Sequence, residues 1–153
     1  MNENLKRRIR RISVCMFTVY LLFMVYFLFL AEGFGRVDSG RTYAYNLRLF
    51  QEIRRFWDNR ESLGMKAVLI NIGGNVLCFV PFGCIVPILW RKMSKAGKIL
   101  LLSFFSSLMI EIIQLIFKVG SFDVDDLLLN TIGGMLGFAV YSVCDVIRRK
   151  KYG

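Results

Sequence analysis

The sequence predicts an all-α integral membrane protein, a four-transmembrane-helix bundle with one extra amphipathic helix on the extracytoplasmic side. Three observations lead to this fold class. Of the 153 residues, 56% are hydrophobic, more than a soluble domain normally carries. Four apolar runs approach or exceed the roughly 20 residues that span a bilayer. Basic residues cluster just outside these runs, as the positive-inside rule expects.

Composition also argues against several other classes of protein. The net charge is +10, but nothing resembles the aromatic and basic platform of a nucleic-acid-binding fold. The cysteines lie inside apolar runs without a C-x-x-C pair, which is typical of buried small hydrophobic residues. Histidine, a common metal ligand and general base, is absent. We therefore expect no disulfide, metal or cofactor.

The first predicted transmembrane helix covers residues 12–30. Five basic residues precede an uncharged run of 19 residues. A secretory signal peptide begins in the same way, but its apolar core is usually only about 7–15 residues long. We expect an uncleaved helix whose N-terminus lies in the cytoplasm.

The predicted amphipathic helix covers residues 45–60. Five apolar side chains recur in it at the spacing of one helix face: Leu49, Phe50, Ile53, Phe56 and Trp57. Charged residues occupy most of the remaining positions. A helix lying on the membrane surface fits this pattern. A helix within a small extramembrane fold is the alternative that the pattern leaves open.

The second predicted transmembrane helix covers residues 67–90. Asn71, Asn75 and Phe79 fall four residues apart, which places them on one helix face. Pro81 lacks the N–H that a helix interior uses, so we expect a kink there. We assign Pro81 and Gly83 to helix packing.

The third predicted helix covers residues 99–117, and it carries one polar stripe. The stripe contains Ser103, Ser107, Glu111 and Gln114 on an otherwise apolar helix. An ionisable group in such a place is by default a hypothesis of function, because burying it in hydrocarbon is costly.

The fourth predicted helix covers residues 127–147, with Asp123 as its expected N-cap. Asp126 and Asn130 share a face with Gly133 and Gly137. These glycines form a G-x-x-x-G spacing, which favours close helix packing.

Charge density predicts the topology. Lys and Arg are much denser in segments 1–11, 91–98 and 148–153 than in 31–66 and 118–126. Both termini should therefore be cytoplasmic, and the two less basic loops should lie outside. In that orientation the polar residues of three helices reach one depth, in the outer leaflet.

Four sequence blocks resemble the VanZ-like family of bacterial membrane proteins. They are Y-N-L-R-L-F-Q-E-I (45–53), N-I-G-G-N-V-L-C-F-V-P-F-G (71–83), S-L-M-I-E-I-I-Q (107–114) and D-V-D-D-L-L-L-N-T-I-G-G-M-L-G (123–137). In the first block Leu49 replaces the family's proline. The resemblance implies a connection with teicoplanin-type glycopeptide resistance, but it names no reaction.

We predict a polar ligand pocket in the outer leaflet, lined by Asn71, Asn75, Glu111, Gln114, Asp123, Asp126 and Asn130. The expected partners are membrane lipids, a lipid-linked cell-wall precursor or a lipophilic glycopeptide. No nucleic acid is expected, and a homodimer remains an open alternative.

Three other interpretations remain beside ligand binding. The polar groups also fit a purely structural role, in which they hydrogen-bond across the bundle. Glu111 and Asp126 also fit an acid/base pair of an enzyme acting on a lipid-linked substrate. A transporter is the third alternative, although four helices are few for that task.

Overall fold

The chain forms an almost wholly helical bundle in a computed structural model, which describes residues 3–29, 45–118 and 120–152. The long helices are α1 (Glu3–Phe29), α5 (Gly74–Leu89), α6 (Ala96–Phe117) and α7 (Val124–Tyr152). Between α1 and α5 lie β1 (Tyr45–Asn46), α2 (Gln51–Asp58), α3 (Arg60–Leu63) and α4 (Met65–Val68). A second short strand, β2 (Phe122–Asp123), precedes α7.

Four helical segments in the described part of the chain are long and apolar enough to cross a membrane: Arg7–Tyr26, Met65–Leu89, Ala96–Phe117 and Val124–Lys151. They confirm the predicted all-α fold class with four membrane helices. The first and last helices extend further than predicted, since basic residues at both ends of the chain continue the helices.

The bundle is built on a close contact between α5 and α7. These two helices share the most extensive interface, α6 packs on α7, and α1 packs on α5. A Cβ added at Gly83 would lie 1.8 Å from the carbonyl oxygen of Gly134, and one at Gly133 would lie 2.1 Å from that of Val76. Gly137 meets the carbonyl of Val80 in the same way. Only glycine allows the two backbones to approach so closely.

The second membrane-spanning segment is interrupted by a π-helical turn that the sequence did not predict. The turn covers Leu69–Gly73 and joins α4 to α5. In a π-helix the hydrogen bond spans five residues instead of four, so residues four apart no longer lie above one another. Pro81 and Pro87 lie inside α5. The kink expected at Pro81 stays a prediction, and the break in regular helix lies earlier in the chain.

The predicted amphipathic helix begins later than expected. Residues 45–50 are not helical, because Tyr45 and Asn46 form a strand and Phe50 adopts a left-handed conformation with φ of 65°. The helix proper starts at Gln51 and has no buried residue. Tyr45–Asn46 pairs in parallel with Phe122–Asp123. This pairing joins the segment before α2 to the segment before α7, so both lie at the same end of the bundle.

Candidate functional site

Buried and half-buried polar side chains meet at that end of the bundle. We call them the polar network: Asn46, Asn75, Ser107, Glu111, Gln114, Asp123, Asp125, Asp126 and Asn130. Its central carboxylate is Glu111 on α6, which is only 2% exposed. The Oε2 atom of Glu111 accepts a hydrogen bond of 2.9 Å from the backbone N–H of Asp123. The last turns of α6 are thereby tied to the start of α7.

Asp123 caps α7, as the sequence predicted. Its Oδ1 atom accepts a 2.8 Å bond from the backbone N–H of Asp125, two residues on, which is the geometry of an N-cap. The same oxygen accepts a 3.2 Å bond from Asn46 Nδ2 on β1. Burial raises the pKa of Asp123, while these two donors oppose the shift. Asp123 therefore links the cap, the strand pair and Glu111.

Asp125 caps a different helix from the one that carries it. It is fully buried, at 0% exposed, and its carboxylate accepts three backbone N–H groups at the start of α2. The donors are Phe50, Glu52 at 2.8 Å and Ile53 at 3.2 Å. A helix N-terminus offers unpaired N–H groups and a partial positive charge. The Asp125 carboxylate thus holds α2 against the bundle.

Two further bonds connect the long helices. Asn75 on α5 donates through Nδ2 to Asp126 Oδ1 on α7. Asn130 on α7 donates through Nδ2 to Ser107 Oγ on α6, at 2.9 Å. Asn75, Asp126 and Asn130 therefore each meet a side chain on another element, and these bonds satisfy part of their hydrogen-bonding capacity.

Gln114 and Asn71 have different positions. Gln114 is 8% exposed, and its side chain lies beside Gly120, where an added Cβ would be 3.4 Å from Gln114 Cβ. Asn71 is exposed and stays outside the network. The π-helical turn explains the difference, because it breaks the four-residue spacing that was expected to align Asn71 with Asn75.

The three aspartates of the sequence D-x-D-D turn to three different partners. Asp123 faces β1 and its own helix, Asp125 faces α2, and Asp126 faces α5. Within residues 3–29, 45–118 and 120–152, no three acidic, cysteine or histidine side chains are grouped as metal ligands.

A pocket of about 460 Å³ opens beside the network, and we call it the surface pocket. Its lining comes from both sides of the β1–β2 pair: Tyr45, Asn46, Leu47, Arg48, Gln51, Glu52, Arg55, Ser121 and Asp123. The volume falls within the range typical of small-molecule sites. Burial raises the pKa of Glu52, and the neighbouring Arg55 opposes that shift. Asp123 belongs to both the pocket and the network.

Sequence reasoning missed the surface pocket and the role of Asp125. No local pattern singled out Asp125, because its partners lie more than 70 residues earlier. Arg48 and Glu52 lie among the charged residues of the predicted amphipathic helix, where a solvated surface explains them equally well. A signal was present in the resemblance itself, because the first family block, 45–53, covers the strand and the capped helix start.

The fold and site together define a four-helix membrane protein with a buried polar network and an adjoining pocket at one end. The VanZ/LLP1 family model matches residues 17–145, and the chain belongs to this family. It is 38% identical over 72 residues to Protein VanZ of Enterococcus faecium. That alignment covers 45% of this chain and 42% of the relative. No solved structure matches the chain.

Proposed function

We propose that this protein acts in the bacterial cell envelope by binding a lipid, a lipid-linked cell-wall precursor or a lipophilic glycopeptide. Binding takes place at the end of the bundle that holds the polar network. Captured ligand, or captured drug, lowers the effective access of teicoplanin-type glycopeptides to their target. Membership of the VanZ/LLP1 family supports this proposal, as does the similarity to Protein VanZ.

The observation that carries the proposal is the surface pocket beside Asp123. A purely structural network would need only the bonds between helices, and it would not need a polar opening of about 460 Å³ next to them. The network holds the two walls of the pocket together through Asn46, Asp123 and Asp125. Preorganised walls reduce the entropy that ligand binding costs.

Binding has more support than catalysis by Glu111 and Asp126. Glu111 accepts the backbone N–H of Asp123, and Asp126 accepts the side-chain amide of Asn75. Both carboxylates thus serve as fixed acceptors between elements. A general acid or base must reach the proton that it transfers to a substrate, and neither residue lines the surface pocket.

The proposal requires the network to face outward, with both termini in the cytoplasm and α2 at the extracytoplasmic surface. Two matched serines test this orientation. Ser62 and Ser94 are both exposed, and each donates its hydroxyl to the carbonyl three residues earlier. In a cysteine-free background, Ser62→Cys should react with a membrane-impermeant maleimide in intact cells, and Ser94→Cys should react only after lysis. The reverse pattern would exclude an outward-facing pocket.

Resistance itself is tested by expressing the chain in a susceptible Gram-positive host. We expect the inhibitory concentration of teicoplanin to rise. Asn75→Ala, Asp126→Ala and Glu111→Ala should abolish that rise, because each removes one partner of a bond that holds the network. Exposed Asp58→Asn should keep it.

Membrane-fraction levels of each variant, measured through an epitope tag, separate lost function from lost protein. Resistance that persists in all three network variants at normal levels would contradict a role for the network. Absence of any rise with the unmodified chain, although it is present in the membrane, would contradict the proposed resistance function.

A further inference from the structure

The surface pocket contains charges of both signs, three of them on the segment from β1 into α2 and the fourth, Asp123, on β2. Arg48 and Arg55 are its cations, and Glu52 and Asp123 are its anions. The lining therefore carries no net formal charge. A pocket built for a simple anion would show an excess of basic side chains, and one built for a simple cation would show an excess of acidic ones. Balanced but separated charges fit a ligand that carries both.

The four charged groups are not equally engaged with one another. Arg55 Nη2 lies 2.8 Å from Glu52 Oε2 and forms an ion pair. Among the residues that the structure describes, no carboxylate lies within ion-pair distance of Arg48. Arg48 is exposed, and a guanidinium is well suited to hold phosphate or carboxylate oxygens.

Asp123 has one oxygen free of the described chain. Its Oδ1 atom receives the bonds from Asn46 and Asp125, while Oδ2 receives none from the residues described. This side chain is held in place by its cap bond and is only 5% exposed as a residue. It provides a fixed acceptor for an ammonium group in the same pocket that Arg48 lines.

The rim of the pocket is apolar. Leu47, Leu49 and Phe50 follow or flank its charged lining, with exposed fractions of 66%, 51% and 55%. Three large apolar side chains in one exposed segment are unusual on a protein that faces only water. Beside a membrane they form a surface along which an acyl chain or another lipid tail can lie.

We infer that the surface pocket binds the headgroup of a zwitterionic amphiphile, with its anionic group on Arg48 and its ammonium group on Asp123 and Glu52. The tail lies along Leu47, Leu49 and Phe50. This inference rests on the proposed binding function and narrows its ligand to one class. Phosphatidylethanolamine is the simplest lipid that carries both groups.

The test uses the full-length chain, purified in a neutral detergent, and short-chain lipids as probes. Phosphatidylethanolamine offers both charges, phosphatidylglycerol offers only the phosphate, and a long-chain alkylamine offers only the ammonium. Affinity is read by native mass spectrometry, or from the fluorescence of Trp57 in a Trp90→Phe background. We expect phosphatidylethanolamine to bind at least about tenfold more tightly than either single-charge probe, since each lost ion contact costs on the order of a factor of ten.

Single substitutions test which residue binds the phosphate and which binds the ammonium group. Arg48→Gln should reduce phosphatidylethanolamine binding to the level of the alkylamine, and Glu52→Gln should reduce it toward the level of phosphatidylglycerol. Arg48→Lys should retain part of the affinity. Arg54→Gln is the matched control. Arg54 lies on α2 with Glu52, its side chain is 82% exposed, and it does not line the pocket. It should bind as the unmodified chain does.

Equal affinity for phosphatidylethanolamine and phosphatidylglycerol would overturn the inference, and so would an Arg48→Gln variant with unchanged binding. These outcomes are distinct from failure of the proposed function. Selective binding without any effect on teicoplanin sensitivity would remove the resistance role and leave the zwitterion site standing. Resistance that is unchanged by Arg48→Gln would leave the resistance role standing and would show that it does not depend on the zwitterion site.

Discussion

The two ends of the bundle handle charge in opposite ways. At the end with the polar network, Asp125 is 0% exposed and Asp123 is 5% exposed, and both carboxylates accept backbone N–H groups from other segments. At the other end, which we call the basic end, Arg149 pairs with Asp145 on the same helix while 70% of its side chain stays exposed. Lys98 there donates to the nearby carbonyl of Lys92, at 2.8 Å.

This difference shows that buried charge, which is costly, is concentrated at the end with the polar network. Burying a carboxylate costs several kcal/mol unless hydrogen bonds compensate. The basic end avoids the cost by leaving its charges in water or among lipid headgroups. The network end incurs the cost and offsets it with backbone donors from α2, β2 and α7. The surface pocket lies at this end.

The comparison predicts the largest effect at Asp125. Asp125→Ala removes three acceptor contacts at the start of α2 and should lower the free energy of unfolding by roughly 2–4 kcal/mol. Hydrogen exchange should accelerate at the amides of Glu52 and Ile53. The control is Asp58→Ala, which changes an exposed carboxylate on α2 itself. It should cost less than about 1 kcal/mol. Equal effects of the two substitutions would contradict the assigned cap.

The next largest effect is expected at the α5–α7 interface, which lies between the two ends of the bundle. Gly83→Ala places a Cβ against the backbone of Gly134, and it should destabilise the chain by about 1–3 kcal/mol through separation of α5 from α7. Gly74→Ala in the same helix meets nothing within 4 Å and should be neutral or stabilising by up to about 1 kcal/mol. Denaturant unfolding in micelles measures both. A tolerated Gly83→Ala would show that the helix contact is looser.

A smaller effect follows from pH. The pKa values of Glu52 and Asp123 are raised by burial, in the presence of Arg55 and Asp125. The folded chain therefore binds protons more readily than the unfolded chain at these sites, so their contribution to stability improves as pH falls from 7 toward the ordinary carboxyl pKa. The combined change Glu52→Gln and Asp123→Asn should flatten the rise in melting temperature over this range. An unchanged slope would assign the pH dependence to other groups.

The smallest effect is expected at the basic end. Asp145→Ala removes the pairs with Arg148 and Arg149, and it should cost at most about 1 kcal/mol, because the two arginine side chains are 36% and 70% exposed and stay solvated without the pair. Raising the salt concentration should reduce that cost further. A loss as large as that of Asp125→Ala would erase the distinction between the two ends.

Local periodicity predicted the parts of the site that depend on one helix at a time. The stripe through Ser107, Glu111 and Gln114 is buried, and Asn130 lies on the face that meets it. Regular spacing failed at Asn71, because the π-helical turn shifted the register before Asn75. The sequence of this turn, Leu69–Gly73, contains no pattern from which we predicted a π-helix.

Contacts between distant segments were the part that the sequence could not predict. Asn46 meets Asp123 across 77 positions, and Phe50 meets Asp125 across 75. Residues 45–50 favoured a helix by their apolar spacing, yet pairing with β2 and the left-handed Phe50 delay the helix to Gln51. Tertiary contacts here outweighed local preference.

The cap on α2 also sets an order of assembly. Residues 45–53 leave the ribosome well before Asp125, whose carboxylate accepts the N–H groups of Phe50, Glu52 and Ile53. Until the last membrane helix begins to insert, the start of α2 and one wall of the surface pocket have no anchor. The pocket is therefore completed only when the final span arrives, and a chain interrupted after α6 would enter the membrane with only one wall of the surface pocket.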